Sequence, residues 1–185
     1  MKTGIIGVNN FTLDLASRAV NSGYEVLISH ARDNNILKQT VQKMGEKVQL
    51  ATKQEAASAD IILLFIPREN LEAWLNDLPD MTDKIILHIN NSIFNIQTFL
   101  PDFETKSATE IITDHLPNTH VVKIFNSLEP MLILPERKNQ DRNEIFYEGI
   151  NEDVKNEVKV FLEALQFSAV DLTGQCMLSN LKVSA

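Results

Sequence analysis

The sequence predicts an α/β protein: a single domain over residues 1–185, with a three-layer, doubly wound and mostly parallel sheet. Short apolar runs alternate with amphipathic helical stretches along the chain. Several runs are apolar at consecutive positions, which is typical of strands buried on both faces. The length of 185 residues suits one domain of ordinary size. Because no repeat, low-complexity tract or linker divides the chain, one sheet with helices on both faces is expected.

The first half of the chain contains five predicted strands. The first two flank a helical segment, residues 11–23, in which Leu13, Ala16 and Val20 share one face and Gly23 gives a C-terminal stop. A strand–helix–strand unit of this kind implies parallel pairing with a right-handed crossover. The five strands are expected at residues 3–8, 24–29, 47–51, 60–66 and 84–89.

The second half contains the clearest helix of the chain, residues 151–167. Asn151 is placed to cap this helix, and Glu152 and Asp153 lie in its first turn, where carboxylates interact favourably with the helix dipole. The predicted apolar stripe of the helix consists of Val154, Val158, Phe161, Leu162 and Leu165.

The other elements of the second half continue the alternation. A helix is expected over residues 108–117, and strands are expected over residues 120–125, 143–149 and 168–172. Residues 126–142 are predicted to be a long, charged loop, which either carries function or only connects two strands.

The composition of the chain disfavours several classes of partner. A formal net charge of -8 argues against sequence-independent binding to nucleic acid or to an anionic membrane, since both need clustered Lys and Arg. The longest apolar run, residues 61–66, is too short to span a bilayer. The single cysteine, Cys176, fits a reducing cytosol and has no base among its neighbours, so it is not expected to be a nucleophile. A cytoplasmic protein is therefore expected.

The segment GIIGVNNFT, residues 4–12, has the layout of a dinucleotide-binding turn. A strict G-x-G-x-x-G pattern that starts at Gly7 needs two further glycines, where this chain has Asn9 and Thr12. Asn tolerates a left-handed backbone, but its side chain adds bulk where the pyrophosphate would pass, and Thr fits with some crowding. The helix N-terminus behind the turn still offers free N–H groups to an anion. The pattern is compatible with a working site and with a degenerate one.

The end of the second predicted strand gives independent information about the cofactor. NAD-preferring folds place Asp or Glu there, about twenty residues after the glycines, to bind the ribose hydroxyls. This chain has Ser29, His30 and Arg32 instead. A hydroxyl, an imidazole and a guanidinium can hydrogen-bond a 2′-phosphate, which a carboxylate would repel. NADP is therefore the preferred cofactor, and a merely polar loop is the alternative.

Five segments of the chain together carry a family resemblance. MKTGIIGVNNF resembles the opening MKIGIIGxGNxG, and SADIILLFIPRENLEAWL resembles ADVVLLAVPxxAxxxVL. KIILHINNSI resembles KIVIDATNPL, HVVKIFNSL resembles xVVKAFNTL, and residues 146–174 resemble FxAGDDxxAKxxVxxLIExLGFxPVDAG. These patterns are those of the NADP oxidoreductase, coenzyme F(420)-dependent family, a group of short Rossmann proteins. The similarity extends over most of the chain.

The resemblance implies hydride transfer between NADP(H) and a second redox carrier or small substrate, of the deazaflavin or flavin type. Such a reaction needs two rings held in register more than it needs an acid or a base. The sequence agrees, because it offers no recognisable catalytic triad or carboxylate pair, and its four histidines lack metal-ligand spacing. A homodimer is also implied, with the dinucleotide and a small redox substrate as the binding partners.

The resemblance assigns residues to successive parts of the dinucleotide. The pyrophosphate would be lined by Gly7, Val8, Asn9, Asn10 and Phe11, and the 2′-phosphate would be held by Ser29, His30 and Arg32. The ribose would lie beside Ile66 and Pro67, and the nicotinamide would lie near Asn91. Asn126, after a later strand, would position a ligand group, since ligands collect at the carboxyl ends of parallel strands. Phe125 is either a core residue or a ring contact, and Lys123 is either a ligand contact or a surface charge.

Departures from the family patterns cluster at the cofactor-binding edge. Asn9 and Thr12 replace glycines, His88 replaces the Asp of KIVIDATNPL, Ser92 replaces its Pro, and Arg68 stands where an aromatic is frequent. Because the core-building patterns are kept, the changes fit either a shifted ligand preference or a loss of catalysis. Two hypotheses follow: an NADP-dependent oxidoreductase, or a non-catalytic Rossmann protein with a degenerate nucleotide site that acts as a sensor or scaffold.

Overall fold

The computed structural model describes residues 1–30, 37–89, 106–125 and 143–174. The strands of this part of the chain are β1 (Lys2–Ile6), β2 (Glu25–Ser29), β3 (Val48–Leu50), β4 (Ile61–Leu64), β5 (Ile85–Ile89), β6 (His120–Phe125), β7 (Glu144–Gly149) and β8 (Ser168–Asp171). Each lies within a predicted strand or extends it by one residue. The predicted loop at 126–142 and Cys176 lie outside the described residues.

All eight strands form one sheet in the order β3-β2-β1-β4-β5-β6-β7-β8. Neighbouring strands are parallel except at one place, where β6 pairs antiparallel with β7. β1 lies between β2 and β4. The strands β2 and β3 follow on one side of β1, and the strands from β4 to β8 follow on the other side. The predicted doubly wound, mostly parallel α/β architecture is confirmed.

The helices of the described residues connect successive strands. They are α1 (Asn10–Asn21), α2 (Lys38–Met44), α3 (Lys53–Ala57), α4 (Arg68–Leu75), α5 (Ala108–His115) and α6 (Glu152–Ala164). Asn151 caps α6 as predicted, because its side-chain oxygen accepts hydrogen bonds from the N–H groups of Asp153 and Val154 at 3.0 and 3.2 Å. All five residues of the predicted α6 stripe are buried.

Two large hydrophobic clusters lie on opposite faces of the sheet. The first joins α1 and α6 to one face, with residues such as Ile5, Leu15, Leu63, Val158 and Phe161. The second joins α3, α4 and α5 to the other face, with residues such as Ile6, Ala56, Ile62, Leu71 and Ile112. A smaller cluster contains Phe125, Phe146 and Leu172. The sheet is therefore the middle of three layers.

The buried face of α1 differs from the predicted one. Only Ala16 of the predicted set is fully buried, and the other fully buried residues are Thr12, Leu15 and Ala19. Leu13 and Val20 are partly buried and pack against the same cluster. The small side chains of Ala16 and Ala19 let the helix backbone approach the sheet, so the larger predicted residues lie at the margin of the contact.

The helices of the described residues include none that is both long and apolar enough to cross a membrane.

Candidate functional site

A crevice is expected where β1 and β4 lie side by side, because the helices that follow these two strands pack on opposite faces of the sheet. The N–H of Phe65, just beyond β4, donates to the carbonyl of Ile6 at the end of β1 at 2.8 Å. Open parallel sheets bind ligands outside the carboxyl ends of their strands at such a switch point. The predicted pyrophosphate-binding turn, which starts at Gly7, lies here.

Gly7 is held between the ends of β2 and β4. Its N–H donates to the carbonyl of Ser29 at 2.9 Å, and its φ of +87° lies in the left-handed region. A Cβ atom at Gly7 would lie 1.8 Å from the carbonyl oxygen of Phe65 and 3.3 Å from the Cδ1 atom of Ile66. The turn therefore needs glycine both for its backbone angle and for its close contact with the β4 segment.

Asn9 and Thr12 form a capping box at the start of α1. The Asn9 side chain accepts a hydrogen bond from the Thr12 N–H at 2.7 Å, and the Thr12 hydroxyl accepts one from the Asn9 N–H at 2.9 Å. Asn9 has φ −142° and ψ −178°, so the left-handed conformation considered for it is wrong. Its side chain bends back onto the helix because the orphan N–H groups of the first turn need acceptors. The two residues that replace glycines thus act as a pair.

The capping box leaves two N–H groups at the start of α1 for an anion. Within the described residues, the N–H groups of Asn10 and Phe11 have no hydrogen-bond acceptor, as is usual for the first positions of a helix. Asn10 is exposed, whereas Phe11 and Val8 are half-buried and pack against the first hydrophobic cluster. The arrangement resembles the helix N-termini that bind phosphate, with one N–H fewer because Thr12 is already bonded.

The predicted 2′-phosphate residues follow the end of β2. Ser29 is only 4% exposed, and its carbonyl accepts the Gly7 hydrogen bond. His30 is half-buried directly after it. Arg32 lies outside the described residues. The described part of this strand end therefore carries no carboxylate, and the role of its side chains stays a prediction.

The end of β4 contributes Ile66 and Pro67. Ile66 is buried beside Gly7 and belongs to the second hydrophobic cluster, whereas Pro67 is exposed and precedes α4. Arg68, the first residue of α4, is exposed, and its guanidinium donates to the carbonyl of Lys106. Asn91 and Asn126, the predicted contacts of the nicotinamide and of a further ligand group, lie outside the described residues.

The strands that lead to these two positions bring His88 and Lys123 together. They are directly paired across β5 and β6. His88 is 1% exposed, and its Nδ1 atom has no hydrogen-bond partner among the described residues. Burial, and to a smaller extent the positive charge of Lys123, lowers the pKa of His88 to about 4. His88 is therefore neutral at physiological pH.

Lys123 places its Nζ atom 4.3 Å from the centroid of the Phe125 ring, within the range of a cation–π contact. Phe125 is 5% exposed and packs with Phe146 and Leu172, so the core alternative for this residue is correct. The His88–Lys123 pair is not evident from the sequence, because strand register cannot be inferred from the two separate segments. The Asn9–Thr12 box had a signal, since a polar cap followed three residues later by a polar partner is a helix-start pattern.

Comparison with known proteins agrees with this geometry. A family model described as NADP oxidoreductase coenzyme F420-dependent matches residues 2–92, which include the Gly7 turn and the strands from β1 to β5. The family resemblance is confirmed. The match ends before the segments from residue 120 onward, which carry the other two family patterns.

A curated relative is similar to nearly the whole of the chain. Metalloreductase STEAP3 of Rattus norvegicus is 23% identical over 172 residues, which are 92% of this chain and 33% of the rat protein. The chain thus spans about a third of the length of this relative.

Solved structures share the fold of this family at low identity. A hypothetical protein of Sinorhizobium meliloti has a TM-score of 0.72 at 24% identity, with 96% of this chain and 88% of that chain covered. A candidate F420-dependent NADP reductase of Arthrobacter sp. FB24 has a TM-score of 0.73 at 21% identity, with 96% and 86% covered. A reductive aminase of Aspergillus terreus, solved with NADPH and ethyl levulinate, has a TM-score of 0.65 at 16% identity, with 95% and 55% covered.

Proposed function

We propose that this protein is an NADP-dependent oxidoreductase that binds the dinucleotide across the crevice between β1 and β4. The observation that carries the proposal is the Gly7 turn, where a left-handed glycine lies against the Phe65 carbonyl and directly precedes the start of α1. This arrangement lets the backbone approach a pyrophosphate that the helix N-terminus attracts. The match of residues 2–92 to a family of NADP oxidoreductases supports it.

NADP is proposed over NAD because of the end of β2. Ser29 and His30 occupy the positions at which an NAD-binding protein has a carboxylate, and Arg32 follows in the sequence. A guanidinium binds a phosphate with two parallel hydrogen bonds, which a carboxylate cannot provide. The presence of NADPH in the solved reductive aminase of the same fold is consistent with this choice.

The proposed reaction is hydride transfer to or from a second redox carrier of the flavin or deazaflavin type. Bound NADP(H) supplies the hydride or accepts it at its nicotinamide ring. The residues of this chain would bind and orient the dinucleotide: Asn10 and Phe11 through their N–H groups, and Pro67 beside the ribose. His88, near the end of β5, is buried and neutral. It is therefore a poor proton donor, which fits a reaction that needs alignment more than proton transfer.

The proposed protein is a homodimer located in the cytoplasm. Residues 1–185 form a single domain in this proposal. The dimer rests on the family resemblance. The location rests on the single cysteine, which fits a reducing compartment.

The second candidate function is a non-catalytic nucleotide sensor or scaffold. The observation that favours it is the Asn9–Thr12 box, because the Thr12 N–H is bonded to Asn9 and is not available to a phosphate. A site of this kind would bind the dinucleotide weakly and would not align a second ring.

Two measurements on the same protein separate the candidates. NADPH binding is followed by the fluorescence of the reduced nicotinamide, and turnover is followed by its absorbance with FMN, FAD and riboflavin as acceptors. The oxidoreductase function predicts saturable binding and acceptor-dependent oxidation of NADPH. Saturable binding without oxidation by any acceptor would favour the sensor, and the absence of binding would refute both.

A further inference from the structure

Lys123 directs its charge toward the edge of the sheet where ligands are expected. Its Nζ atom lies over the ring of Phe125, two residues nearer the carboxyl end of β6 on the same face of the strand. The Lys123 side chain is half-exposed. A small molecule can therefore reach it.

The Lys123 ammonium has no counterion in the described part of the chain. Its register partner on β7, Glu148, forms no ion pair with it. Its register partner on β5 is the buried, neutral His88. Most other half-buried or buried cations of the described residues have an acidic partner; Lys53 pairs with Asp77, and Lys155 pairs with Asp171.

His88 stands where the family pattern KIVIDATNPL has Asp. Because His88 pairs directly with Lys123, an Asp at this position would lie beside the ammonium and could neutralise it. In this chain the carboxylate is replaced by an imidazole whose Nδ1 atom is buried and has no partner among the described residues. A buried nitrogen without a partner is unfavourable unless a ligand or a water completes its bonding. The Lys123 ammonium and the buried His88 Nδ1 atom are thus two neighbouring groups without a polar partner among the described residues.

We propose that Lys123 binds an anionic group, a phosphate ester or a carboxylate, of the second reactant, and that the uncharged His88 leaves the Lys123 ammonium available for it. The proposal rests on the proposed function, because it assigns a contact to the second reactant of the oxidoreductase. A charge-assisted hydrogen bond would then select an anionic carrier over a neutral one with the same ring system.

FMN and riboflavin test this directly, because they share one ring system and differ by a phosphate. Their dissociation constants are measured by quenching of flavin fluorescence, with and without saturating NADP, and NADPH binding is measured separately. We expect FMN to bind the native protein about ten- to a hundredfold more tightly than riboflavin. Lys123→Met should abolish this ratio and leave NADPH binding unchanged. Lys159→Met, which removes an exposed lysine from α6 on the other face of the sheet, should retain the ratio.

Two variants of His88 test the second half of the proposal. His88→Asp places a carboxylate beside Lys123 and should reduce the FMN-to-riboflavin ratio to about one, whereas the neutral His88→Asn should retain it. Equal binding of the two flavins to the native protein, or binding of neither, would overturn the proposal. So would a ratio that survives Lys123→Met, or a loss of NADPH affinity in that variant, which would assign Lys123 to the dinucleotide. Failure of the native protein to bind NADPH would refute the proposed function instead.

Discussion

Asn9 and Thr12 are joined by two reciprocal hydrogen bonds at the first turn of α1, at the positions where a strict dinucleotide-binding turn has glycine. The Asn9 side chain accepts from the Thr12 N–H at 2.7 Å, and the Thr12 hydroxyl accepts from the Asn9 N–H at 2.9 Å. Thr12 is fully buried, so its hydroxyl has few alternatives to this contact. The two departures from the glycine pattern are therefore one structural feature, and they are expected to depend on each other.

This dependence can be measured as a coupling energy. We expect Asn9→Ala and Thr12→Val each to lower the free energy of unfolding by about 1 kcal/mol, because each leaves an N–H of the first turn without an acceptor. The double variant should lose at least roughly 0.5 kcal/mol less than the sum of the single variants. Urea denaturation of the four proteins gives the values, and strictly additive losses would show that the two residues act separately.

Asn9→Gly should strengthen NADPH binding and slightly lower the free energy of unfolding. Glycine removes the acceptor of the Thr12 N–H, and this N–H then becomes available to a phosphate oxygen. We expect NADPH to bind more tightly to this variant, while the free energy of unfolding falls by only a few tenths of a kcal/mol, roughly the usual difference between Asn and Gly at a cap. Weaker NADPH binding would instead mean that the Asn9 amide itself bonds the dinucleotide.

Gly7→Ala should be far more damaging than Gly45→Ala. Both glycines have positive φ, at +87° and +105°, but a Cβ at Gly7 would meet the Phe65 carbonyl at 1.8 Å, whereas a Cβ at Gly45 has no atom within 4 Å. The Gly45 variant should lose only the cost of its backbone conformation, about 1–3 kcal/mol, because φ +105° with ψ 179° is rarely adopted by residues with a side chain. The Gly7 variant should lose roughly 2 kcal/mol more, because the end of β4 must move away. Similar losses in the free energy of unfolding, measured by urea denaturation, would mean that the end of β4 can move away from residue 7 at little energetic cost.

The stability of the protein should depend on the protonation of His88. Its pKa is lowered from 6.5 to about 4 in the folded state, so the unfolded chain binds the proton more readily. Stability from this group is therefore present above about pH 6.5 and is lost as the pH falls toward about 4. The full loss is about 3 kcal/mol, since each pKa unit corresponds to about 1.4 kcal/mol.

His88→Asn removes this titration and tests its size. The difference in the free energy of unfolding between about pH 7.5 and about pH 4 should be smaller in this variant by about 3 kcal/mol than in the native protein. His115→Asn is the matched control, because His115 is exposed near the end of α5, and it should retain the native pH dependence. Identical pH dependence in all three proteins would show that His88 does not remain neutral in the folded state.

The sequence predicted those parts of the fold whose signals are local. The cap at Asn151 and the α6 stripe were correct because capping and helical periodicity depend on neighbouring residues only. The strand positions were correct because β4 and β5 are buried on both faces and consist mostly of consecutive apolar residues.

The sequence did not predict what depends on how distant segments meet. Neither the β5–β6 register that pairs His88 with Lys123 nor the antiparallel placement of β7 leaves a trace in any one segment. The Asn9 conformation was missed for another reason: the residue was compared with the glycine that it replaces and not with the helix that it caps. Departures from a family pattern are best interpreted in terms of the bonds that the new residues make.

The most direct test of the central claim is a calorimetric titration of NADPH and NADH with the native protein and with Arg32→Ala. NADH lacks the 2′-phosphate and is therefore the internal control for every other contact. We expect saturable binding of both cofactors to the native protein, with NADPH the tighter. For Arg32→Ala we expect a loss of about ten- to a hundredfold in NADPH affinity, with NADH affinity barely changed. Equal losses for both cofactors would contradict the NADP assignment, and no saturable binding of either cofactor to the native protein would contradict the oxidoreductase function.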